Sequence, residues 1–318
     1  MDNICPICGE LSSTSEIEVR SGKIMVLSSC SSCEFDFFDK DPSEDLAADH
    51  LDESRLKSAG LDIPPVEKDF INGTKQSLTY IEEYFENSDN DKNILEIGCS
   101  WGYFLKLLKD KGANPYGIEL NKNRATYVNN FLKISCFESL DECEKSGKKF
   151  HKVFLFYVLE YIPNPVNYFE RLLNLLEEGG KIILITPNLN DFIKDGFQNL
   201  AFKRFFYDEH AINYFTEKAM RKFISALPSL KQKIFTKQNY SFINHLNWHL
   251  TSVPKTTGIV GGDNFLNEWS DKLNNELIFT SEIKQLMKDF DDTYRNILER
   301  NKYGNQIHLI LEKEFLKA

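Results

Sequence analysis

The sequence predicts an α/β protein: a doubly wound, mostly parallel sheet of seven strands, with a small N-terminal metal-binding module and a C-terminal helical insertion. Three observations lead there. From residue 75 onward, short apolar runs alternate with stretches of helical spacing, the pattern of parallel strands joined by crossover helices. One junction, Asn93-Ile94-Leu95-Glu96-Ile97-Gly98-Cys99-Ser100-Trp101-Gly102, runs from a strand carrying a carboxylate through a glycine-rich turn into a helix. Ahead of both stand two Cys-x-x-Cys pairs, Cys5/Cys8 and Cys30/Cys33.

Residues 1–40 carry the cysteine pairs. Two intervening residues let a pair of thiolates converge on one ion, and Gly9 follows the first pair directly. Between the pairs, Ile17-Glu18-Val19 and Lys23 to Leu27 have strand composition, with Ser21-Gly22 as the turn. The outline is that of a zinc ribbon. Four thiolates leave no open coordination position, so Zn2+ held by Cys5, Cys8, Cys30 and Cys33 is structural. Spacing alone leaves an iron site or a vestigial knuckle as alternatives. Residues 41–74 are acidic at first and broken at Asp41-Pro42 and Pro64-Pro65, which marks a linker with a short helix. From Thr74 to Phe85, apolar residues at Leu78, Tyr80, Ile81, Tyr84 and Phe85 lie on one helical face. That helix either covers a ligand or packs on the core, and residues 75–318 form the main domain.

The glycine turn is the most informative stretch. Gly98 lets the chain turn and approach a ligand with no Cβ in the way, and the helix after Gly102 points free N–H groups at it. A second strand, Tyr116-Gly117-Ile118, delivers Glu119 where doubly wound folds place an acid against a ribose diol. A dinucleotide fingerprint fails, because Ser100 and Tyr103 stand where its later glycines belong. A phosphate-binding loop fails for want of Gly-Lys-Ser/Thr. What remains is acid-x-Gly-x-small-x-Gly, and this resembles the first motif of class I S-adenosylmethionine-dependent methyltransferases. The resemblance implies a Rossmann-like fold with S-adenosylmethionine as cofactor. It also implies a cofactor-binding set of Glu96, Gly98, Cys99, Ser100, Gly102, Glu119, Leu120, Phe137, Phe156 and Tyr157. Glu96 and the turn backbone would hold the methionine portion, Glu119 the ribose, and Phe156-Tyr157 would frame the methyl. Phe137 and Glu138 compete for the adenine contact. Cys99 occupies a place where a small residue suffices and takes no catalytic role. A strand–helix connection without ligand is the bland alternative.

A third strand lies around 133–137. Next, the stretch from His151 to Pro165, opening His151-Lys152-Val153-Phe154, carries a continuous apolar run, read as a central parallel strand buried on both faces that ends in a polar edge. A helix over 166–176, Gly179-Gly180 and a fifth strand over 181–186 ending at Pro187-Asn188 follow. This block resembles the UbiG-like subgroup, with Tyr161 where that subgroup usually has His and His151 where its strand usually opens with Asp. The general base must therefore be sought elsewhere. Beyond the fifth strand, Glu209-His210 and then Tyr214-Phe215-Thr216 resemble a further segment of the subgroup. Because ligands bind outside the carboxyl ends of such strands, this connection is expected over the site. His210 is the first candidate for general base, with Tyr157 and Glu160 in reserve. A histidine packed against Phe205 or capping a helix is the alternative.

A sixth strand is expected at 233–236 and a last one at 306–312. His245 and His249, four apart, either share a metal or belong to an aromatic packing face. Residues 251–300 read as a helical insertion with Trp269, Phe279, Leu286 and Phe290, entered through a loop at Val253-Pro254 and 258–262 that would shape an acceptor pocket.

Composition limits the function. The net charge of −10 and the absence of any Lys/Arg cluster disfavour nucleic acid and other polyanions. Seven cysteines, four of them in close pairs, point to metal rather than disulfides. No run of 18 apolar residues occurs, and the start of the chain lacks the regions of a signal peptide. The expectation is a cytoplasmic protein with no membrane association. A ribbon fused to such a domain resembles C-methyltransferases of deoxysugar biosynthesis and related enzymes of surface-polysaccharide clusters. It also resembles certain ribosomal-RNA guanine methyltransferases. The implied function is methyl transfer to a small polar acceptor, a sugar or sugar nucleotide of carbohydrate biosynthesis. An RNA base methyltransferase is one alternative. A non-catalytic protein that recruits a partner through the ribbon is the other.

Overall fold

The computed structural model describes residues 3–39, 67–228, 230–252, 273 and 279–314. Most of the predicted linker, the loop at 253–262 and Trp269 lie outside the described residues. The first four strands, β1 (Asn3–Ile4), β2 (Leu11–Glu18), β3 (Ile24–Cys30) and β4 (Phe35–Phe38), pair antiparallel in chain order. Glu18 opposite Ile24 closes the hairpin whose turn holds Ser21-Gly22. Strand β2 begins at Leu11, six residues ahead of the Ile17 expected from composition. Its Ser/Thr-rich first half is mostly exposed and joined through backbone pairing, so no apolar alternation announces it.

The helix α1 (Glu67–Tyr84) starts ahead of Thr74, where the apolar spacing becomes visible. A run of βα units follows: β5 (Asn93–Ile97), α2 (Tyr103–Asp110), β6 (Asn114–Ile118), α3 (Lys122–Tyr127) and β7 (Ser135–Phe137). Then come α4 (Leu140–Lys145), β8 (Phe150–Phe156), α5 (Pro165–Leu175) and β9 (Leu176–Pro187). Strand β9 runs straight through Gly179-Gly180, where the sequence suggested a turn. The pairing with β8 absorbs the difference as a register shift between Phe150 and Lys152.

The remaining elements are α6 (Phe192–Asp195), α7 (Leu200–Phe206), β10 (Asn213–Tyr214), α8 (Glu217–Ile224), β11 (Lys231–Lys237), α9 (Phe242–Thr251), α10 (Thr280–Arg300) and β12 (Gln306–Glu312). Seven strands form one sheet in the order β11-β12-β9-β8-β5-β6-β7, with β9, β8, β5, β6 and β7 mutually parallel. This is the doubly wound α/β sheet that the sequence predicts. Strand β10 does not join it. It pairs with β4 and makes the ribbon a five-stranded sheet, Asn213 opposite Phe37 and Tyr214 opposite Asp36.

Two compact units can be distinguished. One holds α1 to α5 with β5 to β8, and the other holds the ribbon with β10, α6, α7, α9 and α10. In the first unit, β5 buries Ile94, Leu95 and Ile97. Tyr80, Ile81 and Tyr84 of α1 and Phe104, Leu105 and Leu108 of α2 belong to the same core. Each such side chain contributes about 1.5–3 kcal/mol of transfer free energy. In the second unit, Ile193, Phe202 and Trp248 pack with Phe205 and Phe206. Among the described residues, no helix is long and apolar enough to cross a membrane.

Candidate functional site

Strand β5 lies between β6 and β8, so the sheet reverses its winding direction at the carboxyl end of β5. Doubly wound sheets bind their ligands at that switch point. The glycine turn leaves β5 there. Gly98 has φ +70°, and a Cβ on it would come within 2.7 Å of Val158 Cγ2. Gly102 has φ +80° and would meet Leu132 Cδ1 at the same distance. Both positions therefore need glycine for backbone conformation and for space. Ser100 adopts φ +49° between them, an uncommon conformation for a residue with a side chain. The turn is pinned to the next strand, because the N–H groups of Gly98 and Cys99 both donate to Ile118 O, at 2.8 and 3.2 Å.

Two carboxylates flank this turn and differ in how they are satisfied. Glu119 accepts from Ser100 N at 2.8 Å through one oxygen and from Asn121 N at 2.9 Å through the other. It ties the turn to the start of α3, and each oxygen keeps lone-pair capacity for a hydroxyl donor. Glu96 is buried on β5, and its Oε2 has no hydrogen-bond partner among the described residues. Burial, and then the nearby Cys136 and Glu119, push its carboxyl well above the usual carboxylate range. A buried carboxylate oxygen without a partner is costly, and a cationic or N–H donor supplied by a ligand removes that cost. This orphaned atom at the switch point fits a small charged ligand bearing an amine.

Aromatic side chains pack on the turn itself and at the end of β8. Trp101 is buried, edge-on to Tyr127, with the Arg124 guanidinium 5.7 Å from its ring. Phe156 at the end of β8 stacks on Tyr80 at 4.3 Å and meets Phe104 edge-on. Tyr157 follows with φ +57°, a strained conformation for an aromatic residue, and its N–H donates to Ile185 O at 2.8 Å. Glu160 is buried one turn later, Phe137 is half-buried, and Leu120 is exposed. Cys99 and Cys136 have sulfurs 3.6 Å apart. The hydrogen bond between them and then burial hold the Cys99 thiol well above its ordinary range, consistent with a packing role.

Sequence reasoning missed a buried ion pair in the same unit. Lys152 on β8 donates to Asp89 Oδ2 at 2.6 Å and to Tyr84 O at 2.9 Å, with His151 Nε2 3.4 Å from the other Asp89 oxygen. A lysine opening an apolar run was its one visible trace.

His210 belongs to the other unit. Its Nε2 lies 3.4 Å from Glu209 Oε1, and its N–H donates to Asp208 Oδ1 at 2.9 Å. The same unit contains the four ribbon cysteines, whose sulfurs all lie within 4.8 Å of one another. Cys5–Cys33 and Cys8–Cys30 are separated by 3.6 and 3.4 Å. A tetrahedral Zn2+ with bonds near 2.3 Å requires sulfurs about 3.8 Å apart, so the donor set fits that ion. His245 and His249 do not converge. His245 is buried between Tyr294 OH at 2.7 Å and Gln238 Nε2 at 2.9 Å, and His249 packs on Phe197. A cleft lined by Phe192, Gly196, Leu298 and Tyr303, among others, contains none of the residues singled out from the sequence.

Residues 74–226 match the methyltransferase domain family. The matched stretch contains the glycine turn, both carboxylates, Tyr157, Glu160 and His210, and it leaves out the ribbon cysteines. The ubiquinone biosynthesis O-methyltransferase of Coxiella burnetii is 25% identical over 120 residues, covering 36% of this chain and 50% of that protein. The tRNA U34 carboxymethyltransferase of Nautilia profundicola is 29% identical over 189 residues, covering 56% and 59%. The chain thus spans about half the length of the curated relatives it matches. Among solved structures, a SAM-dependent methyltransferase from Archaeoglobus fulgidus is similar with TM-score 0.47 and 17% identity, over 78% of this chain and 97% of that one. The plantazolicin methyltransferase BpumL in complex with SAH gives 0.46 and 17%, over 85% and 95%.

Proposed function

We propose that the chain transfers the methyl group of S-adenosylmethionine to a small polar acceptor, a sugar or sugar nucleotide of polysaccharide or secondary-metabolite biosynthesis, in the cytoplasm. The observation that carries the cofactor assignment is the unpartnered Glu96 oxygen beside a glycine turn at the switch point of the sheet. On this reading Glu96 accepts the ammonium of the methionine portion, while the backbone from Gly98 through Cys99 and Ser100 to Gly102 lines its path. Glu119 takes the ribose hydroxyls, and Phe137 and Leu120 flank the adenine. Phe156 and Tyr157 border the reacting end.

The bound sulfonium supplies an already activated methyl group. The protein's part is alignment and proton removal. His210 accepts the acceptor's proton, its ring oriented by Glu209, with Tyr157 and Glu160 as the other candidate bases. Structural Zn2+ on Cys5, Cys8, Cys30 and Cys33 staples the ribbon.

The relative named for tRNA supports a second reading, methylation of an RNA base. The net charge of −10 weighs against it, since nucleic-acid affinity rests largely on cationic contacts to phosphate. Labelled S-adenosylmethionine offered with a panel of sugar nucleotides, and separately with bulk tRNA and ribosomal RNA, decides between them. Label on a sugar nucleotide that disappears in His210→Ala supports the first reading. Label on RNA alone overturns it, and label on neither favours a non-catalytic binding protein.

A further inference from the structure

The turn joining β2 and β3 does more than close a hairpin. Arg20 N–H donates to Tyr207 O at 2.9 Å, and its Nε donates to Phe205 O at 2.7 Å. The guanidinium lies 3.9 Å from the centre of the Phe205 ring and 3.3 Å from Asp208. Next in the turn, the Ser21 hydroxyl donates to Glu209 Oε2, and Lys23 Nζ lies 3.2 Å from that oxygen. Ser21 and then Lys23 hold the Glu209 carboxyl below its ordinary range against the opposing effect of burial. The other Glu209 oxygen faces His210 Nε2, and Asp208 takes the His210 N–H.

The far end of the segment is anchored to the same module. Strand β10 extends the ribbon sheet, Tyr207 OH donates to Asp36 at 2.6 Å, Thr216 Oγ1 donates to Glu34 O at 3.0 Å and Lys218 pairs with the Glu34 carboxylate. A module serving only as a detachable docking platform has no need to grip both ends of one connection in this way.

We propose that the ribbon turn is a positioning element: Arg20, Ser21 and Lys23 fix the backbone and the carboxylate that orient the His210 ring. With Glu209 facing Nε2, Nδ1 is the ring nitrogen presented to an acceptor. The proposal rests on the reading of His210 as general base. The metal acts at one remove, since loss of the staple at the cysteines loosens the hairpin that carries the turn.

The test uses the full-length, zinc-loaded protein with Arg20→Gln, Lys23→Gln and the conservative Arg20→Lys. Amide hydrogen exchange over 204–216 is followed by mass spectrometry. The His210 ring-proton resonance, identified by its absence in His210→Gln, is followed by NMR, and S-adenosylhomocysteine binding by calorimetry. Arg20→Gln is expected to speed exchange over 204–216 about tenfold, the scale of a lost charge-assisted hydrogen bond. It should also displace the His210 resonance, with partial return of both in Arg20→Lys. Lys23→Gln, in an exposed turn, should displace the resonance with little change in exchange. S-adenosylhomocysteine affinity should stay within about twofold throughout, as none of these side chains is assigned to the cofactor. Unchanged exchange and resonance in Arg20→Gln overturn the proposal. So does an equal rise in exchange over β5 and β6, which marks general loosening. A wild type that binds no S-adenosylhomocysteine defeats the cofactor assignment instead, and the exchange data still decide the role of the turn.

Discussion

Glu96, Gly98 and Gly102 are placed by a strand, a turn and a helix that follow one another directly, whereas Glu209 is held by Ser21, 188 positions earlier in the chain. In the first region, backbone conformation does the work. Two residues at positive φ and a neighbouring side chain at each leave glycine as the only fitting choice, so the motif is written in adjacent letters. In the second, Glu209 stands next to His210 in the chain, but its carboxylate is held by Ser21 and Lys23 of a hairpin that no spacing rule connects to it. A glycine turn can be assembled from one βα unit, while the carboxylate beside His210 is held by side chains from far along the chain.

The largest expected effect separates the two regions by their dependence on metal. Chelation of zinc should remove roughly 10 kcal/mol of coupled binding and folding free energy from the ribbon. Amide exchange should rise across β2 and β3 and across 204–216, and stay slow in β5 and β8. Equal protection with and without metal would dissolve the distinction. Next in size, Glu96→Ala removes the buried carboxylate oxygen without a hydrogen-bond partner beside the glycine turn. S-adenosylhomocysteine affinity should fall roughly 10- to 100-fold, the range for a hydrogen bond to a charged group. A change under twofold would detach Glu96 from the cofactor.

A third effect follows from acid. Burial holds His245 and His308 down to about 3, from an ordinary 6.5. The unfolded chain then binds more protons than the folded one between those values. The stability these residues contribute is therefore fully present above pH 6.5 and is lost as pH falls towards 3. Denaturant midpoints for the unit containing them should drop by the equivalent of a few kcal/mol over that window. A midpoint independent of pH there would show that both rings are solvated. The smallest effect has the opposite sign. Ser100→Gly should stabilise the turn by about 0.5 kcal/mol, since Ser100 sits at φ +49° and its N–H bond to Glu119 survives the change. A loss of stability would mean that the hydroxyl carries weight.

The parallel strands, the crossover helices and the metal knuckles were legible because each is written in a local period or spacing. The Ser/Thr-rich half of β2 was not, because backbone pairing rather than apolar alternation holds it. The role of Lys152 was not legible, since its partner Asp89 lies in a different stretch of the chain and the pair forms only in space. The two residues of β10 carry no strand signal of their own, and only their register with Phe37 and Asp36 reveals the fifth strand of the ribbon. The grip of Ser21 and Lys23 on Glu209 was hidden for the same reason.

Titration calorimetry of the folded, zinc-loaded protein with S-adenosylhomocysteine reads the cofactor assignment itself. Saturable binding at one site per chain is expected, weakened by Glu96→Gln and left intact by His210→Ala. Absence of binding by protein whose fold and metal content are verified would contradict it.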